Sequence, residues 1–315
     1  MTGRPRSPGD DQPSGHHPVG AQTTGGEPGG AQTTGGELVG GEQAIAGVPV
    51  GSEQTGGERE VLTVVDGEVA TVVINRPSRR NALTWEVTRQ LRHAFGVLRD
   101  DPVVRVIVLT GAGEQAFCAG ADLDGMAAGA GALELHHGRG EMAALFQDMW
   151  ALGKPVIARV RGYALAGGFG LALACDLVVA AEDAVFGTPE ITVGLWPYMI
   201  TVPLLRSLPP KRALELMMTG RRVGAAEAER LGLVTRVVAA SELDDAVGEL
   251  ALALAAQSPA VMRLGRTAFY RVVDQAADQA LPYLHAQLSI TAGTEDAIEG
   301  LAAFAERRRP VWTGR

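Results

Sequence analysis

The sequence predicts an α/β fold on three observations. Runs rich in β-branched residues alternate with helical stretches from Val61 to about Leu204, glycines gather where those runs end, and the chain beyond Leu204 is almost wholly helical by pattern. With 315 residues, 46% apolar and 20% charged, it can bury a large core in one or two domains.

Residues 1–58 come first and read differently. The segment holds 16 of the 41 glycines and repeats "AQTTGGE" at 21 and 31. It has too few large apolar side chains to offset ordering entropy, so a disordered tail is expected there. It also lacks the basic-then-apolar order of an export signal. "VLTVVDGEVATVVIN" then places two strand-like runs around Asp66-Gly67, a hairpin signal. In "SRRNALTWEVTRQLRHAFGVLRDD", Leu83, Val87, Leu91, Phe95 and Leu98 form one apolar helical stripe. "VRVIVLTGAG" reads as a buried strand. "PVIARVRGYAL" and "CDLVVAAEDAVFG" read as one short strand-like run each, with a helix opening between them at Gly167. Further on, "LVTRVVA" is one late strand, and Pro259, Gly265 and Gly293 punctuate the helices. The expected organisation is a tail (1–58), an α/β core (59–255) and a C-terminal helical region (256–315).

Composition excludes several classes of function. A net charge of -8 disfavours nucleic acid and anionic membrane as partners. Cys118 and Cys175 form neither a disulfide framework nor a Cys-x-x-Cys pair, which fits a reducing, cytoplasmic setting. Residues 162–181 are apolar enough to resemble a membrane span, but Asp176 and the interior glycines favour a helix buried in protein.

The chemistry gathers in loops. "AFCAGADL" and "ALAGGFG" are glycine-rich turns, each able to present a backbone N–H without side-chain obstruction. Two such donors aimed at one point stabilise charge developing on a carbonyl oxygen, and a helix opening at Gly167 adds its dipole. Taken singly, either turn is as well explained by packing. Glu190 follows, in "FGTPEITVGLWP". Its apolar surroundings predict partial burial and a raised pKa, as a general base needs, against the alternative of a surface loop acid.

With "INRPSRRNAL", "AFCAGADL", "GYALAGGFGLALACD", "FGTPEITVGLWP", "TGRRVGAAEAERLGLV" and "EDAIEGLAAFAERRRPVW" in this order and spacing, the chain from about residue 61 resembles the enoyl-CoA hydratase/isomerase (crotonase) superfamily. The resemblance implies a spiral of strand-strand-helix units, C-terminal helices that assemble trimers or hexamers, and an acyl-CoA thioester substrate with no separate cofactor and no metal. It puts the oxyanion donors on Ala121 and Gly167 and a catalytic glutamate on Glu190. The other glutamate of family hydratases falls on Gly170. One carboxylate remains, which favours double-bond isomerisation, served by a single proton shuttle, over hydration. The alternatives are a 2-enoyl-CoA hydratase (lyase) and a catalytically idle member that binds CoA, RNA or protein. The missing side chain at 170 is expected to leave room for a water or a larger acyl group.

Asp122, Gly168 and Gly170 are also expected to border the substrate. For the CoA phosphates, Arg79 and Arg80 are candidates. By resemblance, Phe304 and Arg307 approach the adenine and phosphate region, and the backbone around Ala119 and Ala121 cradles the adenine. Arg308 and Arg309 also fit a solvated helix end. Trp196 and Tyr198 either line the acyl pocket or simply pack. His136 and His137 fit a solvated loop or a substrate gate near a lid-like 125–131 segment, and adjacent histidines do not share a helix face for a metal. Asp176 reads as a carboxylate bonding backbone at a strand start.

Overall fold

The computed structural model describes residues 59–122 and 131–315. The expected N-terminal tail, and all of the expected lid except Gly131, lie outside the described residues.

The hairpin forms where its signal stands. Strands β1 (Val61–Asp66) and β2 (Val69–Ile74) pair antiparallel, and Gly67 takes the positive φ of +56° that the turn requires. Helix α1 (Trp85–Asp100) buries Val87, Leu91, Phe95 and Leu98. It begins two residues after Leu83, because the Thr84 side chain caps it by accepting the Val87 N–H at 3.1 Å. Leu83 therefore leaves the expected helical stripe, and its backbone bridges to Ala121 instead.

Three strand pairs follow: β3 (Val106–Gly111) with β4 (Ala116–Cys118), β5 (Val156–Val160) with β6 (Tyr163–Leu165), and β7 (Leu177–Ala181) with β8 (Val185–Gly187). Each of the two runs read as a single strand after residue 155 is thus two strands. In the first, Gly162 turns the chain at φ +64°, and a side chain there would overlap the Gln115 carbonyl. In every pair the first strand joins one sheet and the second joins another. Including β9 (Arg222–Gly224) and β10 (Arg236–Val238), the sheets run β1-β2-β3-β5-β7-β10 and β4-β6-β8-β9. All neighbours are parallel except β1 with β2 and β8 with β9. This is the predicted spiral of strand-strand-helix units. Helix α2 (Ala132–Trp150) follows the first pair, α3 (Gly167–Ala174) the second, and α4 (Thr201–Ser207) with α5 (Pro210–Thr219) the third.

The central strands β3, β5 and β7 of the six-stranded sheet are buried on both faces, which is why they read as continuous apolar runs. Ile107 and Leu109 face the main core with α1 and α2, while Val106, Val108, Ile157 and Val179 pack on α7 (Leu243–Ala255). A short helix, α6 (Ala225–Leu231), links β9 to β10. Three helices close the chain: α8 (Pro259–Val272), α9 (Ala277–Ala292) and α10 (Glu295–Glu306). Pro259 opens α8 and Gly293 ends α9 as expected, but Gly265 sits inside α8 with open space around it and punctuates nothing. Residues 162–181 divide among β6, α3 and β7, and no helix among the described residues is long and apolar enough to cross a membrane.

Candidate active site

The parallel strands β4, β6 and β8 are consecutive in the small sheet, so their C-terminal ends open side by side. The turns beyond them carry Ala121, Gly167 and Glu190. Strand ends of this kind collect ligands in α/β folds. The second and third turns are tied by a hydrogen bond from Ala166 N–H to the Gly187 carbonyl at 2.9 Å. The first and second are in contact. Gly120 has φ +98°, and a Cβ there would lie 2.7 Å from Ala166 Cβ and 3.4 Å from Gly167 N. Glycine at 120 thus lets the two turns approach each other.

Backbone bonding orients the expected donors. Leu83 N–H donates to the Gly120 carbonyl at 2.7 Å, and Asp122 N–H donates to the Leu83 carbonyl at 2.8 Å. Successive N–H groups of extended chain point to opposite sides, so that of Ala121 points away from Leu83. Gly167 is the first residue of α3, where an N–H has no partner within the helix and the helix dipole is positive. Ala166 before it holds φ 51°, a conformation a non-glycine residue rarely adopts and one that aims this turn. Against Gly167 stand Met142 and Leu83, whose methyls would lie 3.1 and 3.8 Å from a Cβ at that position.

Glu190 sits in a 3-10 turn, Pro189–Val193, closed by Gly194 at φ 78°. The buried Thr188 hydroxyl anchors this turn by donating to the Leu216 carbonyl at 3.0 Å. One carboxylate oxygen, Oε2, is buried with no hydrogen-bond partner among the described residues. Burial pushes the Glu190 pKa above its ordinary value, opposed by a hydrogen bond from its own backbone N–H. Partial burial and a raised pKa are what the sequence predicted. The arrangement brings the expected donor residues Ala121 and Gly167 and a carboxylate with one buried oxygen to adjoining strand ends.

A cleft of about 510 Å³ adjoins the first turn, lined by Ser78, Arg79, Arg80, Ala82, Ala119, Ala121 and Asp122. It gathers five of the residues predicted to meet substrate. Asp122 is buried, with its carboxylate held by Arg76 at 3.0 Å and Arg79 at 3.1 Å. Sequence reasoning missed the residue that builds this wall, Asn81. It is fully buried at φ 55°; its amide nitrogen donates to the carbonyls of Ala112 (3.0 Å) and Ala116 (2.7 Å), and its oxygen accepts Arg76 N–H (3.0 Å). The signal was an asparagine, tolerant of left-handed backbone, between a charged pair and an apolar stripe.

The structure places the other expected residues as follows. Gly168 is buried, and a side chain there would overlap the Cys118 carbonyl, so its lack of one serves packing of α3 on β4. Gly170 has no open room beside it. A Cβ would overlap Ile200 Cγ2 and lie 2.8 Å from Ile200 Cβ and 3.2 Å from Phe146 Cζ. Trp196 is half-buried against the main core, and Tyr198 is exposed. Phe304, 85% exposed, and Arg307, the left-handed cap of α10, are not among the residues lining the cleft. Arg308 is paired with Glu299 and Glu306. His136 and His137 are exposed on helix α2 and not in a loop. Asp176 is structural as read: it accepts Val156 N–H at 2.7 Å, Arg266 Nε at 2.8 Å and the Tyr270 hydroxyl at 2.6 Å.

Comparison with known proteins agrees with this architecture. The family model described as enoyl-CoA hydratase/isomerase matches residues 65–315. The chain belongs to that family. Carnitinyl-CoA dehydratase of Escherichia coli K12 is 40% identical over 255 residues, spanning 79% of this chain and 97% of that protein. Among solved structures, an enoyl-CoA hydratase of Mycobacterium smegmatis aligns with TM-score 0.78 at 37% identity, covering 81% of this chain and 99% of its own. One from Bacillus anthracis also aligns with TM-score 0.78, at 34% identity, covering 82% and 100%. This member of the enoyl-CoA hydratase/isomerase family is therefore an enzyme.

Proposed function

We propose that the enzyme moves protons on an unsaturated acyl-CoA thioester through an enolate, with Glu190 as the one acid/base group. The observation that carries this reading is the buried Glu190 Oε2, without a hydrogen-bond partner among the described residues, on the turn bonded next to Gly167. In this mechanism the thioester oxygen accepts the N–H groups of Ala121 and Gly167, which lowers the cost of charge forming on that oxygen. Glu190 takes a proton from C2 of a 3-enoyl thioester, the electron pair spreads over a dienolate, and the same carboxyl returns the proton to C4. The product is a 2-enoyl thioester, and no water is consumed. Arg79 and Arg80, at the cleft, are suited to the phosphates of the CoA arm.

A second reading has its own support, since the 40% identical relatives are named carnitinyl-CoA dehydratase. One carboxylate can take an α-proton and pass it to a departing β-hydroxyl, which is hydro-lyase chemistry. An idle binding protein is disfavoured, because a buried carboxylate oxygen with no hydrogen-bond partner among the described residues is costly to keep without a use. Two further features belong to this proposal. Apolar side chains stand exposed on α9 and α10, among them Leu288, Leu301 and Phe304, as they would for a homotrimer or homohexamer. Free, buried Cys118 and Cys175 suit the cytoplasm.

Matched 3-enoyl and 2-enoyl thioesters discriminate the two reactions. The isomerase reading expects interconversion of the double-bond isomers to outrun formation of the 3-hydroxyacyl product. Faster hydration than isomerisation would transfer the enzyme to the hydro-lyases.

A further inference from the structure

We infer that Ile200 determines which reaction the site performs, by filling the space beside Gly170 that an activating carboxylate or an attacking water would need. The inference deepens the single-carboxylate reading above and rests on it. Gly170 stands three residues after Gly167 on α3, about one helical turn from the expected oxyanion donor and on a similar face. Its missing side chain leaves no void. The volume is taken by Ile200 Cγ2, with the Phe146 ring edge behind it. Ile200 is 2% exposed and packed in the main core.

Ile200 is also firmly placed. It directly precedes α4, where its carbonyl accepts Leu204 N–H at 3.1 Å and the neighbouring Thr201 hydroxyl donates to the Pro197 carbonyl at 2.9 Å. The segment that brings in Ile200 is the one that begins with Glu190, so base and plug arrive on one stretch of chain. An aliphatic group here offers a water neither donor nor acceptor. The substrates favoured are thioesters whose reaction consumes no water.

The test uses the full-length enzyme. In wild type, exchange of substrate α-protons with deuterated water reads the enolate step alone, and the ratio of hydration to isomerisation on matched enoyl thioesters reads the role of Ile200. Ile200→Ala should raise that ratio about tenfold while exchange persists, and Gly170→Glu with Ile200→Ala should raise it further. Leu204→Ala, an equally buried change on α4, should lower Tm and leave the ratio as it was. Gly170→Ala should lower Tm in wild type and do so less in the Ile200→Ala background, because the clash partner is gone. Ile200→Thr, which keeps the branching and adds a hydroxyl, serves if the alanine variant does not fold, and should move the ratio the same way. An unchanged ratio in folded, exchange-competent Ile200 variants would overturn the inference and leave the enolate reading standing. Absence of exchange in wild type would overturn both.

Discussion

At Glu190 a carboxylate oxygen has lost its water and gained no donor among the described residues, and the raised pKa follows from that burial. The sign of its effect on stability is fixed by linkage. A carboxyl whose folded pKa lies above its unfolded value binds more protons when folded, so stability falls as pH rises from the ordinary 4.5 through the raised value. Glu190→Gln removes the ionisation and keeps the shape. The variant should therefore melt higher than wild type at pH 7, with the advantage shrinking to nothing below about pH 4.5. Calorimetry across that range checks it, and a Gln variant that melts lower at neutral pH would show that the carboxylate is stabilised by a partner. Partial burial was legible from the apolar residues flanking Glu190. Ile200 was not, because a glycine at 170 says that a side chain is missing and says nothing about which distant residue enters the space.

Elements were legible where one local signal decided them. Asp66-Gly67 marked the hairpin, and the stripe from Val87 to Leu98 marked α1. The split of "PVIARVRGYAL" into β5 and β6 was hidden, because both halves are apolar and their destinations in different sheets depend on partners far along the chain. Gly265 misled for the opposite reason, since helix packing tolerates a glycine with no neighbour near it. Asn81 ties elements together, joining the loop after β2 to Ala112 just beyond β3 and to Ala116 at the start of β4. Asn81→Ala would strand buried carbonyls and an N–H, each costing about 1–3 kcal/mol when left unpaired, and would put alanine in a left-handed conformation. The expected outcome is a large fall in Tm. Activity should fall as well, because Ala119 N–H hangs on the adjacent Arg80 carbonyl at 3.0 Å, and that turn carries Ala121. A variant with wild-type Tm would remove Asn81 from this role.

Across the whole molecule, each repeat sends one strand to a sheet whose central strands are buried on both faces and the next to a small sheet whose first strand end adjoins the cleft. Stability and chemistry are thereby assigned to different layers of one fold. The large sheet sits between two apolar clusters, while the small sheet lines up three strand ends whose turns carry Ala121, Gly167 and Glu190, the proposed donors and base. The order of motifs along the chain made the spiral legible. The setting of Phe304 and Arg307 was not, because the resemblance assigns them to CoA without saying how α10 lies, and α10 leaves Phe304 exposed. Light scattering should find three or six copies associated if the exposed apolar side chains of α9 and α10 are covered as proposed, and a monodisperse monomer would contradict that. The central claim, that Glu190 is the group that makes and quenches an enolate on a bound CoA thioester, has one direct test. Incubate a saturated acyl-CoA with the enzyme in deuterated water and follow deuterium entering the α-carbon. Wild type should exchange the α-proton, and Glu190→Gln should bind the thioester with little change and exchange none. Exchange that continues in the folded Gln variant would contradict the account and place the base elsewhere.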